Sequence, residues 1–532
     1  MKKNSVNCGN FMFSLKNKLI SMSKESKIYF IGCAVLLIGA FLGTLLFDIG
    51  EDNEIYNLMF FGVMLVWCIN IAFCFFNIKA RAILLLFHLT VFLFLLSRNF
   101  VCVLRGEEWW FRYSVESNVF ALRIILLSLV GLCIGAVVME NICRCVSKRK
   151  NKKAKLAEAE AKEDICGGGA FKNRLIDTDV LRFVLRLGLA FCMICLFIRE
   201  IEKLTFMSGR PYADLYIYYK SSLPFYISFP ASCLPYFLCM YLSLKPKKAE
   251  ALVWLSLYIA SALPMLKIGA RGGFILNLLF AFTYYCLRSM YEKGWFGKIE
   301  KIVAVACIPV MIVGLGALNY IRDDKEVKLN IGEIAVDFLF KQGTTYDTVL
   351  QGYEYQDKLI GKDSKYYTFG AVTDHVLYNS LGQKIFDAPE ITEGNSFKTA
   401  YRSHCFSHAI SYAVLGADYI GGQGRGSSYV IENYIDFGHA GVVIFSIVLG
   451  IICSGCMLLF GKKWLLSVII LNLLLNLFFV ARAESLSFAV FLVSYKFWIV
   501  VGAVAAMVIL INTVVKKFDL KRFKTVKIIL EV

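Results

Sequence analysis

Apolar runs of about 20 residues, separated by short polar or charged stretches, recur along almost the whole chain, and that is the length an α-helix needs to cross a hydrocarbon core. The clearest are "IYFIGCAVLLIGAFLGTLLF" near the start and "YKFWIVVGAVAAMVILINTVV" near the end. The period-2 alternation of a membrane barrel is missing. Lipid offers the backbone no hydrogen bonds, so helices are the only spanning structure such runs can form. The pattern predicts about twelve spans, near residues 28–47, 55–76, 82–97, 118–139, 181–199, 224–244, 251–268, 272–290, 302–320, 439–460, 464–480 and 488–515. The first has no small-residue cleavage site after it and is read as a retained helix. The expected fold class is therefore all-α, a polytopic integral membrane protein.

Two stretches break the pattern. Segment 140–180 contains "SKRKNKKAKLAEAEAKEDICGGG", whose alternating charge predicts an exposed helix and whose glycines predict a flexible end, a solvated linker with a preference for anionic lipid. Residues 321–429 run for roughly 110 residues without a span, a length that seldom occurs in a loop without a task. Within it Ile334, Phe338 and Val349 are spaced for an amphipathic helix lying on the membrane surface. The expected order is four spans in 1–139, the linker 140–180, five spans in 181–320, a large extracytoplasmic loop in 321–438, three spans in 439–515 and a basic tail in 516–532.

Composition agrees: 58% of residues are hydrophobic and 18% charged, unlike a soluble domain. A net charge of +18 can signal nucleic acid. Here, however, the basic residues lie between spans, at Lys2, Lys3, Lys16 and Lys18, at Lys79 and Arg81, in the 140–180 linker, in "KPKK" from Lys245, at Lys293 and Lys298, in "GKK" from Gly461 and in the tail "KKFDLKRFK". Positive charge marks cytoplasmic faces, so both termini are expected inside and the long loop outside, with no nucleic-acid partner. Of the 18 cysteines only Cys102 and Cys405 fall clearly outside. A bridge between them and two free thiols are both open, the second being the expectation.

The chemistry-bearing residues gather late in the chain. "GGQGRG", Gly421–Gly426, follows no strand and so does not fit a nucleotide phosphate loop. Its glycines instead let backbone N–H groups approach a ligand, with Arg425 among them. Ser427 or Ser428 can cap a helix that Gly438 can end. In that helix Glu432 and Asp436 are four apart and share a face; they can bind sugar hydroxyls, act as a base, or simply face water. Two short external turns carry Arg271 in "GARGGFI" and Arg482 in "ARAESLSF". A single arginine there can snorkel to lipid phosphates. Three at one level, with Arg425, suit a lipid-borne pyrophosphate, because guanidinium forks match phosphate oxygens bidentately. Of the five histidines, His375, His404, His408 and His439 sit in or beside the loop, and His88 inside a span reads as a packing residue. Asp323 and Asp324 are a conceivable metal pair, but a solvated charge cluster is the expectation, with no metal and no other cofactor.

The ordered set "GARGGFI", "FKQGTTYDTVL", "SHAISYAVLGADYIGGQGRGSSYVIENYIDFGHAGV" and "ARAESLSF" resembles the Wzy family of O-antigen and related polysaccharide polymerases, membrane glycosyltransferases of GT-C type. The resemblance implies transfer of a growing glycan from undecaprenyl pyrophosphate to the non-reducing end of a new lipid-linked repeat unit at the outer face of the cytoplasmic membrane. It also implies a Wzz-like chain-length regulator as partner and no metal. On the matching residues, Arg271 and Arg482 would stabilise the leaving pyrophosphate and His408 or Glu432 would deprotonate the acceptor. Gln342, Gly343, Gly424, Arg425, Gly426, Ser427, Ser428 and Asp436 would hold substrate. Arg425 and Asn433 depart from the family pattern, where apolar residues are expected, so Arg425 suits substrate preference better than the common chemistry. An O-antigen ligase and a polysaccharide transporter are the alternatives; the concentration of charge at the outer face, away from the bilayer midplane, speaks against the transporter.

Overall fold

The computed structural model describes residues 54–160, 178–210, 214–298, 331–389 and 394–517, with scattered residues between 300 and 316 and Ile391. The expected span near 28–47, most of that near 302–320, Asp323, Asp324 and most of the tail lie outside the described residues. Every regular element among the described residues is helical. Among the described residues ten helices are long and apolar enough to cross a membrane. Seven come first: α1 (Tyr56–Phe76), α2 (Ile78–Arg105), α3 (Val115–Ser147), α4 (Asp179–Phe206), α5 (Phe225–Ser243), α6 (Lys248–Ile268) and α7 (Gly272–Tyr291). The long segment that follows contains α8 (Ile331–Gln342), α9 (Thr345–Glu354), α10 (Gly370–Tyr378), α11 (Phe397–Arg402) and α12 (Phe406–Leu415). The last three spanning helices are α13 (Tyr429–Leu459), α14 (Trp464–Arg482) and α15 (Tyr495–Val514).

Three of the ten run well past their apolar stretch, and of these α3 simply continues as helix through the charged linker to Glu160. α2 passes through a π-helical stretch at Phe92–Leu96 and continues to Arg105, carrying the buried Ser97, Arg98 and Asn99. The wider π-helical turn takes up an extra residue and so shifts which face these polar residues present. α13 begins at Tyr429 because the acid-bearing helix runs into the span across Gly438, whose φ of 63° and ψ of −158° lie outside helical values. A side chain at that φ would be strained, so glycine is the residue that permits the break. The sequence places this break at the same residue.

The chain forms two compact units. The first takes its described residues from 1–92, 110–165 and 439–458. Its helices approach closely: a Cβ at Gly135 would stand 2.0 Å from the Ile447 carbonyl oxygen, and one at Gly450 would stand 1.9 Å from that of Leu132. Small residues four apart, Gly131 and Gly135, let two backbones meet in this way. Gly135→Leu is therefore expected to overpack the contact by about 1–3 kcal/mol or more, read as a lower melting temperature of the purified protein. One buried charge in this unit is fully paired. Arg81 is fully buried and donates to both oxygens of Glu140 at 2.6 and 3.0 Å and to the Phe73 carbonyl at 2.6 Å, which satisfies a charge pair that would otherwise be costly to bury. His88 is buried beside the Cys133 thiol, 3.5 Å from Nε2, in keeping with a packing role.

The second unit takes its described residues from 93–109, 166–438 and 459–532. It holds α4 to α12, α14 and α15, and the first turns of α13. The expected amphipathic helix is corrected here. Ile334 and Phe338 lie on α8 and Val349 on α9, separated by a turn at Gly343, and all three are buried within the protein. Their spacing reports a protein core, because α8 packs on the Ser97–Arg105 end of α2 and Ser97 Oγ donates to the Leu339 carbonyl at 2.8 Å. Cys102 and Cys405 are both free thiols.

Candidate active site

Every site residue named from the sequence falls in the second unit. Its assembly starts at Gly343. A Cβ there would lie 2.5 Å from both the backbone nitrogen and Cβ of Arg98, so only glycine lets the α8–α9 turn sit directly on α2. That approach brings the Asp347 carboxylate onto the Arg98 guanidinium and leaves Gln342 facing Arg482, whose Nη1 donates to Gln342 Oε1 at 2.9 Å.

Arg482 closes a 3-10 stretch, Leu477–Arg482, and its guanidinium lies 5.6 Å from the centre of the Phe94 ring. Phe94 in turn meets Phe479 edge-on at 5.5 Å. A Cβ on Gly272 would touch the Phe479 ring at 4.0 Å, so the start of α7, where Arg271 precedes the first turn, packs on the stretch that ends in Arg482. The glycine-rich loop arrives from the other side: a Cβ on Gly426 would stand 3.4 Å from the Arg482 carbonyl oxygen and 4.0 Å from its Cγ. The structure thus brings Arg482, Gln342, Gly343, Gly426 and the segment bearing Arg271 together. Arg425 is exposed, and its guanidinium has no protein partner among the described residues.

The loop is fixed at several points. The Arg425 backbone N–H donates to Ser411 Oγ at 2.8 Å, and Asn395 donates to the Gln423 carbonyl at 2.8 Å. A Cβ on Gly424 would come to 3.8 Å from the same Ser411 oxygen. Ser427 and Ser428 are buried; Ser427 Oγ donates to Glu432 Oε1, while the Ser428 hydroxyl has no partner among the described residues. The second oxygen of Glu432 accepts the Ser485 backbone N–H at 2.7 Å, and Asn433 donates to Ser485 Oγ at 3.0 Å. Glu432 is 0% exposed. It ties the glycine-rich loop to the segment just after Arg482, and both its oxygens are spent on protein groups. Asp436 is likewise committed: Oδ1 and Oδ2 accept the backbone N–H groups of Tyr367 and Thr368 at 3.1 and 2.6 Å. The shared face read from the spacing is real, and it serves to anchor two neighbouring loops.

His408 lies on α12, with Nδ1 2.9 Å from the Tyr419 hydroxyl. The Ser396 backbone N–H also bonds that phenol oxygen, and the buried phenol has no other acceptor among the described residues. The phenol therefore gives its proton to Nδ1, and the ring proton of neutral His408 resides on Nε2. Burial holds the His408 pKa below the ordinary value, against the opposing pull of the Glu484 and Asp374 charges. A lowered histidine pKa keeps the folded form unprotonated while the unfolded chain takes up a proton, so stability is full above about pH 6.5 and falls as pH drops below it. His408→Gln is expected to flatten that slope below about pH 6.5, measured by melting temperature against pH.

Several contributors were not singled out from the sequence: Arg98, Asp347 and Ser485. Asp347 lay within the quoted "FKQGTTYDTVL" and Ser485 within "ARAESLSF", but their partners are 249 and 53 residues away, and no local pattern reveals such pairs. Among the described residues no group of three or more His, Cys, Asp or Glu side chains is placed to hold a metal ion.

Two guanidinium-bearing segments, packed together beside exposed backbone of a glycine-rich loop, suit an anion with several oxygens. A model of the O-antigen polysaccharide polymerase Wzy family matches residues 28–517. The chain belongs to that family. No curated protein and no solved structure matches it. As a Wzy-family polymerase it is a multi-pass membrane protein acting in polysaccharide biosynthesis on lipid-linked repeat units.

Proposed function

We propose that this chain transfers a growing glycan from undecaprenyl pyrophosphate onto the non-reducing end of a newly arrived lipid-linked repeat unit, at the outer face of the bacterial cytoplasmic membrane. Both termini are then cytoplasmic, residues 321–438 form the extracytoplasmic loop, 140–180 the cytoplasmic linker, and a Wzz-like chain-length regulator is a partner. The observation that supports this most is Arg482, aimed by Gln342 and lying against the Gly426 backbone.

In this reading Arg482 and Arg271 neutralise the charge that builds on the departing diphosphate, a preorganised effect worth most in a site poor in water. Gly343, Gly424 and Gly426 allow the backbone to come close enough, and Arg425, exposed at the rim, biases which repeat unit is accepted. Ser427, Ser428, Glu432 and Asp436 hold the site's shape from beneath. Since Glu432 has no free oxygen, the acceptor's proton goes to an imidazole of segment 404–408. A strain lacking the gene should carry envelope glycan of single repeat units, and supplying the chain should restore a ladder of lengths on a polysaccharide gel. A ladder that persists in the deletion strain would remove the assignment, and transfer of single units to lipid A core without lengthening would make the protein a ligase.

A further inference from the structure

Two histidines lie in segment 404–408, and the structure wires them oppositely. His404 Nδ1 is 2.9 Å from Asp374 Oδ1, and the same carboxylate accepts the His404 backbone N–H at 2.8 Å and the Ser403 hydroxyl at 2.5 Å. Burial alone would raise the Asp374 pKa, but the hydrogen bonds from His404 and Ser403 outweigh it and hold the acid below its ordinary value. It is therefore a carboxylate, able only to accept, so the neutral ring carries its proton on Nδ1 and leaves Nε2 as an acceptor. Nε2 has no protein partner among the described residues, and the His404 side chain is 21% exposed. His408 is the reverse, with its proton on Nε2 because Tyr419 occupies Nδ1.

The placement of this dyad is enforced from the site already described. Asp436 holds the N–H groups of Tyr367 and Thr368, just ahead of α10. α10 begins at Gly370, where a Cβ would stand 2.1 Å from the His404 carbonyl oxygen, and Asp374 follows one turn later. Beyond His404, Ser407 donates to Glu484 at 2.6 Å, two residues from Arg482. One chain of contacts thus runs from Asp436 through Asp374 and His404 to the arginine segment. Lys365, Tyr378, Arg402, Cys405, His408 and Glu484 are the other titratable groups around the dyad.

Resting on the polymerase reading, we propose that His404, oriented by Asp374, is the catalytic base, and that His408 is a hydrogen-bond donor to the leaving diphosphate. As the acceptor oxygen bonds to the anomeric carbon of the donor, its proton passes to His404 Nε2. The bond from that carbon to the diphosphate oxygen breaks, and its electron pair leaves with the diphosphate. Asp374 steadies the imidazolium formed and fixes the tautomer that can accept, which makes it a positioning residue.

The test uses the purified full-length protein with a defined undecaprenyl-pyrophosphate-linked repeat unit and four variants. His404→Ala should lower kcat by about 10²–10⁴ with KM changed little, the range for loss of a general base, and added imidazole should return part of the rate, which also shows that the variant is folded. His404→Gln should be as slow, since an amide cannot take the proton, whereas His408→Gln, which keeps an N–H donor, should lose less of the rate than either His404 variant. Asp374→Asn should lower kcat without imidazole rescue. Wild type that lengthens chains together with an active His404→Ala, or with His408→Gln as the slower variant, overturns the assignment of the base alone. Wild type that lengthens nothing overturns the polymerase reading and this inference with it.

Discussion

Arg482→Ala is expected to slow chain lengthening by about 10²–10³, the loss seen when one preorganised donor to a developing negative charge is removed. The loss should fall on kcat more than KM, because the charge on the diphosphate oxygen grows as the bond to sugar breaks. Arg482→Lys should recover little. Its ammonium is a single point charge and cannot keep the 2.9 Å bond to Gln342 while presenting a second donor edge to the diphosphate. Gln342→Ala should produce a smaller loss in the same direction by freeing the guanidinium to rotate. The measurement is initial rate on a defined lipid-linked unit, with product length read on a gel. Long polymer at wild-type rate from Arg482→Ala would show that the diphosphate is held elsewhere.

The second large effect is structural. Glu432→Ala would strand the Ser485 backbone N–H and the Ser427 hydroxyl, both buried, at about 1–3 kcal/mol for each unsatisfied group. It would also release the glycine-rich loop from the segment after Arg482, so activity and stability should fall together. Glu432→Gln keeps one accepting oxygen and the side-chain volume, and should retain more of both. The check is the melting temperature of each purified variant beside its rate. If Glu432→Ala melted like the wild type yet lost all activity, the acid would be touching substrate, and the pinning role assigned to it would be wrong.

Much of the fold was legible because lipid imposes a simple rule on sequence. Apolar runs at 55–76 and 272–290 reappear as Tyr56–Phe76 and Gly272–Tyr291. Gly438 was readable as a helix break because few other residues tolerate its φ. Hydropathy could not foresee that α2 continues to Arg105, because the polar residues beyond its π-helical stretch are buried by α8, a partner far along the chain. The same limit governs the site. Glycine, arginine and acid motifs mark where chemistry gathers, and Arg482 and Gly426 do meet. The roles of the acids did not follow from spacing: Glu432 and Asp436 share a face, yet each spends its oxygens on backbone and hydroxyl groups from other segments. Nor could four histidines be ranked from sequence, since Asp374 and Tyr419 decide which ring nitrogen carries the proton.

The most direct measurement places the purified protein in lipid nanodiscs with one defined undecaprenyl-pyrophosphate-linked repeat unit and no ion gradient, and resolves the lipid-linked products by mass. The account predicts a ladder of masses rising by one repeat unit, with one undecaprenyl pyrophosphate released per step. Unchanged single units, under conditions where the protein remains folded, would contradict it.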